Sequence, residues 1–281
     1  MPSKLTLEGA LRKMRVELSD DQAQYFLSTD QQEVAINDCV GSDWSIRYHG
    51  TINCIQCNRK SNKSFSQGYC YPCFKSLARC DQCIMSPEKC HFHLGTCREP
   101  EWAEQFCMQD HIVYLANSSG LKVGITRIDQ VPTRWIDQGA VAAVPVYRVA
   151  TRRISGLLEH ECKAYVADKT NWRALLKGEP AAVDLIAERE RIQNSLRDDF
   201  SALQEQEGLQ SVQEIEDVGV TRIRYPVASY PEKIKSFNLD KEPEAGGKLL
   251  GIKGQYLIFD TAVINLRKYS GYQISITVTS S

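Results

Sequence analysis

The chain lacks any long apolar run. No window approaches the roughly 18 consecutive apolar residues that span a bilayer, so no membrane partner is expected. Net charge is also missing: 34 Lys and Arg stand against 35 Asp and Glu, a sum that argues neither for nor against a polyanionic partner. The opening Met1-Pro2-Ser3-Lys4 leads into mixed polar sequence without the apolar stretch of a signal peptide. That predicts a cytoplasmic protein with reduced thiols. Acidic residues are absent from Trp44 to Cys80, where Arg47, Arg59, Lys60, Lys63, Lys75 and Arg79 fall, so the balanced total hides a locally basic segment. Cysteine, by contrast, is plentiful. Its odd total of 11 suits metal sites with spare thiols better than a disulfide framework. With 42% hydrophobic and 25% charged residues over 281 positions, the composition is globular and the length allows two domains.

Between Cys54 and His93 four two-ligand knuckles follow one another: Cys54-x-x-Cys57, Cys70-x-x-Cys73, Cys80-x-x-Cys83 and Cys90-x-x-His93. Two residues between ligands let a tight turn bring both side chains onto one tetrahedral ion, and two knuckles close a four-ligand site. Two structural zinc sites are therefore expected. Sequential pairing gives Cys54, Cys57, Cys70 and Cys73 as one and Cys80, Cys83, Cys90 and His93 as the other. A cross-braced pairing, first knuckle with third and second with fourth, stays open. Cys97, Cys107, His91 and His111 are spare ligands able to replace any of these. An iron–sulfur cluster is the rival to zinc, but the histidine in the last knuckle favours zinc. Cys39 and Cys162, outside the cluster, read as small buried apolar residues. Closed thiolate sites leave no open coordination position, so the expected role is to fold a loop-rich segment that has no core of its own.

Phe65, Tyr69, Tyr71 and Phe74 interleave with Arg59, Lys60, Lys63 and Lys75. Aromatics stack on bases while cations meet phosphates, which makes this segment a candidate nucleic-acid surface. The same aromatics suit a small core around the metal. Arg127, at the end of a later strand, is a further candidate contact.

The fold class expected is α+β. Residues 1–50 alternate as strands, for example around Val34-Ala35-Ile36-Asn37 and Trp44-Ser45-Ile46-Arg47-Tyr48, and residues 208–281 do likewise. The two ends share a faint pattern. Tyr25-Phe26-Leu27, Ile36-Asn37, Gly41 and Trp44-Ser45-Ile46 match Tyr256-Leu257-Ile258, Ile264-Asn265, Gly271 and Tyr272-Gln273-Ile274. If that repeat is real, the ends pair into one barrel-like unit and the middle is an insertion. The insertion divides into the Cys-rich region 51–111, a small domain 112–178 read as strand, strand, helix, strand, helix, and one long helix 179–207. Leu185, Ile192, Leu196 and Leu203 on that helix suit either packing across domains or the seam of a homodimeric coiled coil. Residues 207–219 and 236–247 read as connectors.

The order of elements in 112–178 resembles the GIY-YIG nuclease superfamily. Val113-Tyr114-Leu115 stands where that family has its first tripeptide, and Lys122-Val123-Gly124 where it has its second. Arg134 falls on the first helix, Leu157-Leu158-Glu159 on the second, and Asn171 follows, as the family's arginine, glutamate and asparagine do. The resemblance implies magnesium-dependent phosphodiester hydrolysis. Glu159 would hold the ion, Tyr114 would activate or orient the attacking water, Arg134 would stabilise the phosphate and Asn171 would steady the site. Glu161 is a rival for Glu159. The first tripeptide lacks its glycine, and Lys122 stands where the family has tyrosine, so the fold could be kept for binding alone. The Cys-rich region leading into Tyr114-Leu115 and Lys122-Val123-Gly124-Ile125-Thr126 also resembles an uncharacterised bacterial domain-of-unknown-function family, which supplies an architecture and no activity.

The function expected is therefore that of a zinc protein acting on DNA or RNA as a magnesium-dependent endonuclease, with no small-molecule cofactor. The alternatives are a non-catalytic nucleic-acid-binding module and a protein-interaction scaffold.

Overall fold

The computed structural model describes residues 4–216 and 219–279. In chain order the N-terminal segment forms β1 (Lys4–Ala10), β2 (Arg15–Ser19), β3 (Gln22–Ser28), β4 (Glu33–Ala35) and β5 (Asp43–Asn53). The Cys-rich region contributes β6 (Lys60–Ser61), α1 (Tyr71–Ser76), four one-turn 3-10 segments and α2 (Pro100–Phe106). The middle domain follows as β7 (His111–Asn117), β8 (Leu121–Arg127), α3 (Thr133–Asp137), β9 (Ala142–Val149), α4 (Arg152–Cys162) and α5 (Trp172–Leu175). Then come α6 (Leu185–Ser195), α7 (Arg197–Glu207), β10 (Val212–Glu214), β11 (Thr221–Arg222), β12 (Glu244–Lys253), β13 (Tyr256–Phe259), β14 (Val263–Asn265) and β15 (Tyr272–Thr279).

The two ends of the chain make one unit. β15 alternates strictly, with Tyr272, Ile274, Ile276 and Val278 inward and Gln273, Ser275 and Thr277 half-buried, and a strand so patterned needs one covered face. It pairs antiparallel with β1 on one side, from Lys4↔Thr279 to Ala10↔Gln273, and with β5 on the other, where Ile276 lies opposite Ile46. The resulting sheet has the order β1-β15-β5-β12-β13-β14, with β6 added to β5. It is open, so the barrel-like unit is corrected to an open sheet whose ends are β1 and β14. The faint repeat is present in the order of elements. β2, β3, β4, a 3-10 turn and β5 are answered by β12, β13, β14, a 3-10 turn and β15. Ile36 and Ile264 are buried at matching points, and Gly41 and Gly271 both hold positive φ before the long strand.

The middle sheet, order β10-β9-β7-β8 with β11 on β9, is covered on both faces. Ile112, Tyr114 and Ala116 of β7 join the core of the end unit, while Val113 and Leu115 face the α4, α6 and α7 side. This is why His111–Asn117 is buried at every position, where a one-sided strand alternates.

Three expectations are corrected here. The single long helix is two, α6 and α7, broken at Leu196 (φ −102°, ψ 12°). Leu185, Ile192, Leu196 and Leu203 are buried in the core shared with β9, and Phe200 stacks on Tyr147 at 5.3 Å. The apolar row that suggested a homodimer seam over 180–206 is thus covered by the chain's own sheet. The supposed connectors carry β10, which pairs with β9, and the start of β12, which pairs with β5; Asp217 and Val218 lie outside the described residues.

Candidate metal centre and basic cleft

Cys54 follows the last residue of β5, and the turn after it is closed by Asn58 N–H donating to the Cys54 carbonyl at 2.9 Å. Cys70 is the N-cap residue of α1 and Cys73 lies in its first turn. The ligand atoms of Cys54, Cys57, Cys70 and Cys73 all lie within 4.8 Å of one another, and Cys57 Sγ is 3.7 Å from Cys70 Sγ. An ideal zinc tetrahedron with Zn–S near 2.3 Å has S–S edges of about 3.8 Å. The four thiols therefore fit a structural zinc site. Burial pushes the Cys54 thiol up, but backbone N–H groups of Cys57, Cys70 and Gln56 outweigh it and bring it down to about 6. Cys73 is pushed up by burial and by its sister thiols. Phe65 packs against Phe74 (5.6 Å) and Tyr71 (5.5 Å), so the aromatics between the knuckles gather beside this centre.

Cys80, Cys83, Cys90 and His93 do not converge. Cys80 is buried toward Ser66 and Arg79, and His93 is exposed on the 3-10 turn Phe92–Leu94. Cys83 and Cys90 instead line a small cavity of about 10 Å³ together with Cys97 and Cys107. Asp81, Cys83 and His91 also bring their ligand atoms within 4.8 Å of one another. His111 is in neither place. It is buried in β7, its Nδ1 lies 2.6 Å from the Gln109 carbonyl, and burial lowers its pKa to about 4.

The basic residues divide between two surfaces. Arg59, Lys60 and Lys63 ring a shallow depression of about 350 Å³ beside the first Cys group, with Phe65 and Tyr71. Lys75 is exposed on α1 outside that lining, and Arg127 belongs to a different place. That place is a cleft of about 530 Å³ between the middle domain and the second half of the Cys-rich region. Arg127, Arg134, Arg152, Lys163, Lys169 and Arg267 line it against two carboxylates, Glu159 and Asp168.

Of the five expected catalytic residues, two line this cleft and two more lie buried within reach of their charges. Arg134 and Glu159 are in its lining, whereas Glu161 is exposed elsewhere on α4. Tyr114 lies beneath the floor, wholly buried, donating to Gln138 Oε1 at 2.9 Å. Burial raises its pKa to about 12, and the Arg134 charge opposes the rise. Its ring has room because the residue opposite on β8 is Gly124, where a Cβ would sit 2.7 Å from the phenol carbon and oxygen. Lys122, also buried, donates to Thr170 Oγ1 at 3.1 Å. Burial, helped by Arg134 and opposed by Glu159 and Asp168, lowers its pKa to about 8. Glu159 is raised by burial and by Asp168, against the pull of Lys163, which lies 3.8 Å from Glu159 and 3.4 Å from Asp168. Asn171 stands apart: its Oδ1 accepts from the Arg173 and Ala174 N–H groups and caps α5.

Several residues of the cleft carry no local sequence signal. Arg152 begins α4 and donates through Nη2 to the Ile84 carbonyl at 2.7 Å, and Arg267 arrives from the 3-10 turn before β15. Both guanidinium groups are held below their ordinary value by burial and, in each case, by Arg134. On α2, Trp102 stacks on Phe106 (4.8 Å, 14°), with Arg79 over the first ring and Arg127 over the second. A neighbouring cavity of about 760 Å³, lined by Arg12, Lys13, Tyr69 and Arg79, shares Met85 and Arg267 with the cleft and extends it.

Fold and site define a mixed α/β protein with β-rich ends and an insertion that carries a tetrathiol centre and a basic cleft. The chain belongs to the family described as "Protein of unknown function (DUF2797)", whose model matches residues 41–274. Neither a curated protein nor a solved structure matches it. Among the described residues no helix is long and apolar enough to cross a membrane.

Proposed function

We propose that the cleft binds the phosphate backbone of a nucleic acid and hydrolyses a phosphodiester there with a divalent cation, as the resemblance to GIY-YIG nucleases implies. One observation carries the reading. Arg134, Arg152 and Arg267 crowd one cleft, and among the described residues none of them forms an ion pair. Half-buried like charges without an ion-pair partner destabilise a fold unless an anion joins them, and a phosphodiester accepts from guanidinium forks at the matching geometry.

Arg134, Arg152 and Arg267 hold the phosphate and stabilise the charge that grows on it. Glu159, with Asp168 beside it, offers the hard oxygen donors suited to magnesium, which when bound would polarise the phosphate and lower the pKa of a water. The Tyr114 phenol stays protonated at neutral pH, so its part is to hold Gln138 and Arg134 in place, not to take a proton. Lys122 keeps a cation beneath the floor at pH 7 and loses it above about 8. Trp102 and Phe106 offer stacked ring faces to unpaired bases, with Arg79 and Arg127 alongside. The first Cys group folds the knuckle and supplies no chemistry, since four thiolates close its coordination.

A second reading is binding without cleavage. Lys122 in place of the family's tyrosine, together with the hold of Lys163 on both carboxylates, favours it. Labelled DNA and RNA incubated with magnesium or EDTA, with the native protein and with Glu159→Ala, separate the two. Magnesium-dependent cleavage lost in the variant supports hydrolysis. A gel shift without cleavage supports binding, and neither outcome removes both.

A further inference from the structure

We infer that Cys83, Cys90, Cys97 and Cys107 together form a second closed site for a single soft divalent ion, zinc by ligand chemistry, which pins the loop wall of the cleft onto α4. The four residues come from four separate turns: the 3-10 segment Gln82–Ile84, the end of Pro87–Lys89, the loop before α2, and the residue after α2. They line one small cavity of about 10 Å³, together with Asp81 and His91. That is at or below the room needed for one water. It suits a single ion, with the four cysteines among the residues that line the space. Cys83 and Cys90 interact thiol to thiol, and Cys107 feels the charges of Cys90 and Cys97.

The segment around them has little else to fold on. From Leu77 to Cys107 the only helix beyond single turns is α2, and no strand forms. Its buried residues are Leu77, Ala78, Cys80, Pro87, Cys90, Ala103 and Cys107, with Cys83 and Cys97 half-buried. A segment of this kind is ordered by metal or left disordered. The rival ligands beside Cys83 already have partners. Asp81 is held by Arg98 Nε at 2.6 Å and by the Gln82 N–H at 2.6 Å, and His91 Nδ1 lies 2.7 Å from Thr96 Oγ1. They serve as outer hydrogen-bonding groups, of the kind that orient ligands. On binding, the four thiols release their protons to solvent, and the excess negative charge of four thiolates around a dication faces Arg152.

The site is tied to the cleft through backbone. Arg152 N–H donates to the Cys107 carbonyl at 2.8 Å while its guanidinium reaches the Ile84 carbonyl. On the same helix Gly156 lets the chain at Pro87 and Glu88 approach so closely that a Cβ would lie 2.6 Å from Pro87 Cβ. Ile84, Met85 and Pro87 are cleft wall, and α4 carries Glu159.

Metal content of the purified full chain tests this without any nucleic acid, so its outcome is independent of the proposed hydrolysis. Two zinc ions per chain are expected in the native protein. One is expected in Cys97→Ser and in Cys107→Ser, and two are retained in Cys80→Ser and His93→Asn. Two ions retained in Cys107→Ser, one lost from Cys80→Ser or His93→Asn, or only one in the native chain would overturn the assignment. Should the serine variants lose their far-UV circular dichroism, cobalt(II) titration of the metal-free native chain decides. Saturation at two equivalents, each with the thiolate-to-metal absorption of four sulfurs, supports the site. Saturation at one equivalent, or a second with weaker thiolate absorption, refutes it.

Discussion

Replacing Arg267 with methionine should move stability and nucleic-acid binding in opposite directions. Arg267 is half-buried in the 3-10 turn before β15, its guanidinium held below its ordinary value first by burial and then by Arg134. Among the described residues it has no ion-pair partner, and Asp137, the carboxylate that acts on it, is engaged by Lys13. Exchanging a poorly compensated buried charge for an apolar side chain of similar length is neutral to stabilising by about 1–4 kcal/mol. Partial exposure places Arg267→Met at the low end, about 1 kcal/mol. A lost phosphate contact reads differently. The slope of log K against log salt should become shallower by about 0.7 for a single strand or 0.9 for a duplex. Urea unfolding gives the first quantity and fluorescence anisotropy of a labelled oligonucleotide over a salt series gives the second. A variant destabilised by 1 kcal/mol or more with an unchanged salt slope would mean that Arg267 is structural, and the argument from three crowded arginines would lose its footing.

Other perturbations probe separate parts of the account. Gly124→Ala puts a methyl 2.7 Å from the Tyr114 ring, so it should cost about 1–3 kcal/mol by overpacking and lower cleft activity through Gln138 and Arg134. Full stability by thermal melting would show that the ring has slack. His111 is neutral in the fold with a pKa lowered to about 4, so the unfolded chain takes up its proton first as pH falls below about 6.5. Its contribution is whole above that value and fades toward pH 4, by about 1.4 kcal/mol at pH 5.5; His111→Met should flatten this part of the pH–stability curve, and an unaltered curve refutes the assignment. Lys122 carries a pKa lowered to about 8, so phosphate binding should weaken as pH rises above 8 in the native protein and not in Lys122→Met. Equal pH profiles for the two would remove Lys122 from the site.

Short-range order was legible in the sequence, and long-range delivery was not. The Cys54 to Cys73 centre was readable because CxxC spacing places ligands by local turns alone. The order of elements from β7 to α4 followed from period and punctuation, and Tyr114, Lys122, Arg134 and Glu159 gather near one cleft. Cys97 and Cys107 were set aside as spares because they have no CxxC partner. Their place beside Cys83 and Cys90 in the lining of one cavity depends on the fold of the chain through α2, which no spacing rule describes. His93 looked like a ligand by spacing, yet its turn points it to solvent. Arg267 and Arg152 reach the cleft from the C-terminal repeat and from the first turn of α4, so only the tertiary fold joins them to Arg134. The α6–α7 helix misled because a row of leucines 7, 4 and 7 apart serves a buried sheet face as well as a coiled-coil seam. Asn171 precedes a short helix, and the structure uses it as the cap of α5, outside the cleft lining.

The most direct test of the central claim is a binding and cleavage titration of labelled single- and double-stranded nucleic acid, with magnesium and with EDTA. It compares the native chain with the Glu159→Ala variant and with a triple Arg134, Arg152 and Arg267 to methionine variant. The account predicts salt-sensitive binding in the native chain and in Glu159→Ala, product only with magnesium and an intact Glu159, and neither binding nor product in the folded triple variant. Undiminished binding by the triple variant would contradict it, because the phosphates would then be held somewhere other than the cleft.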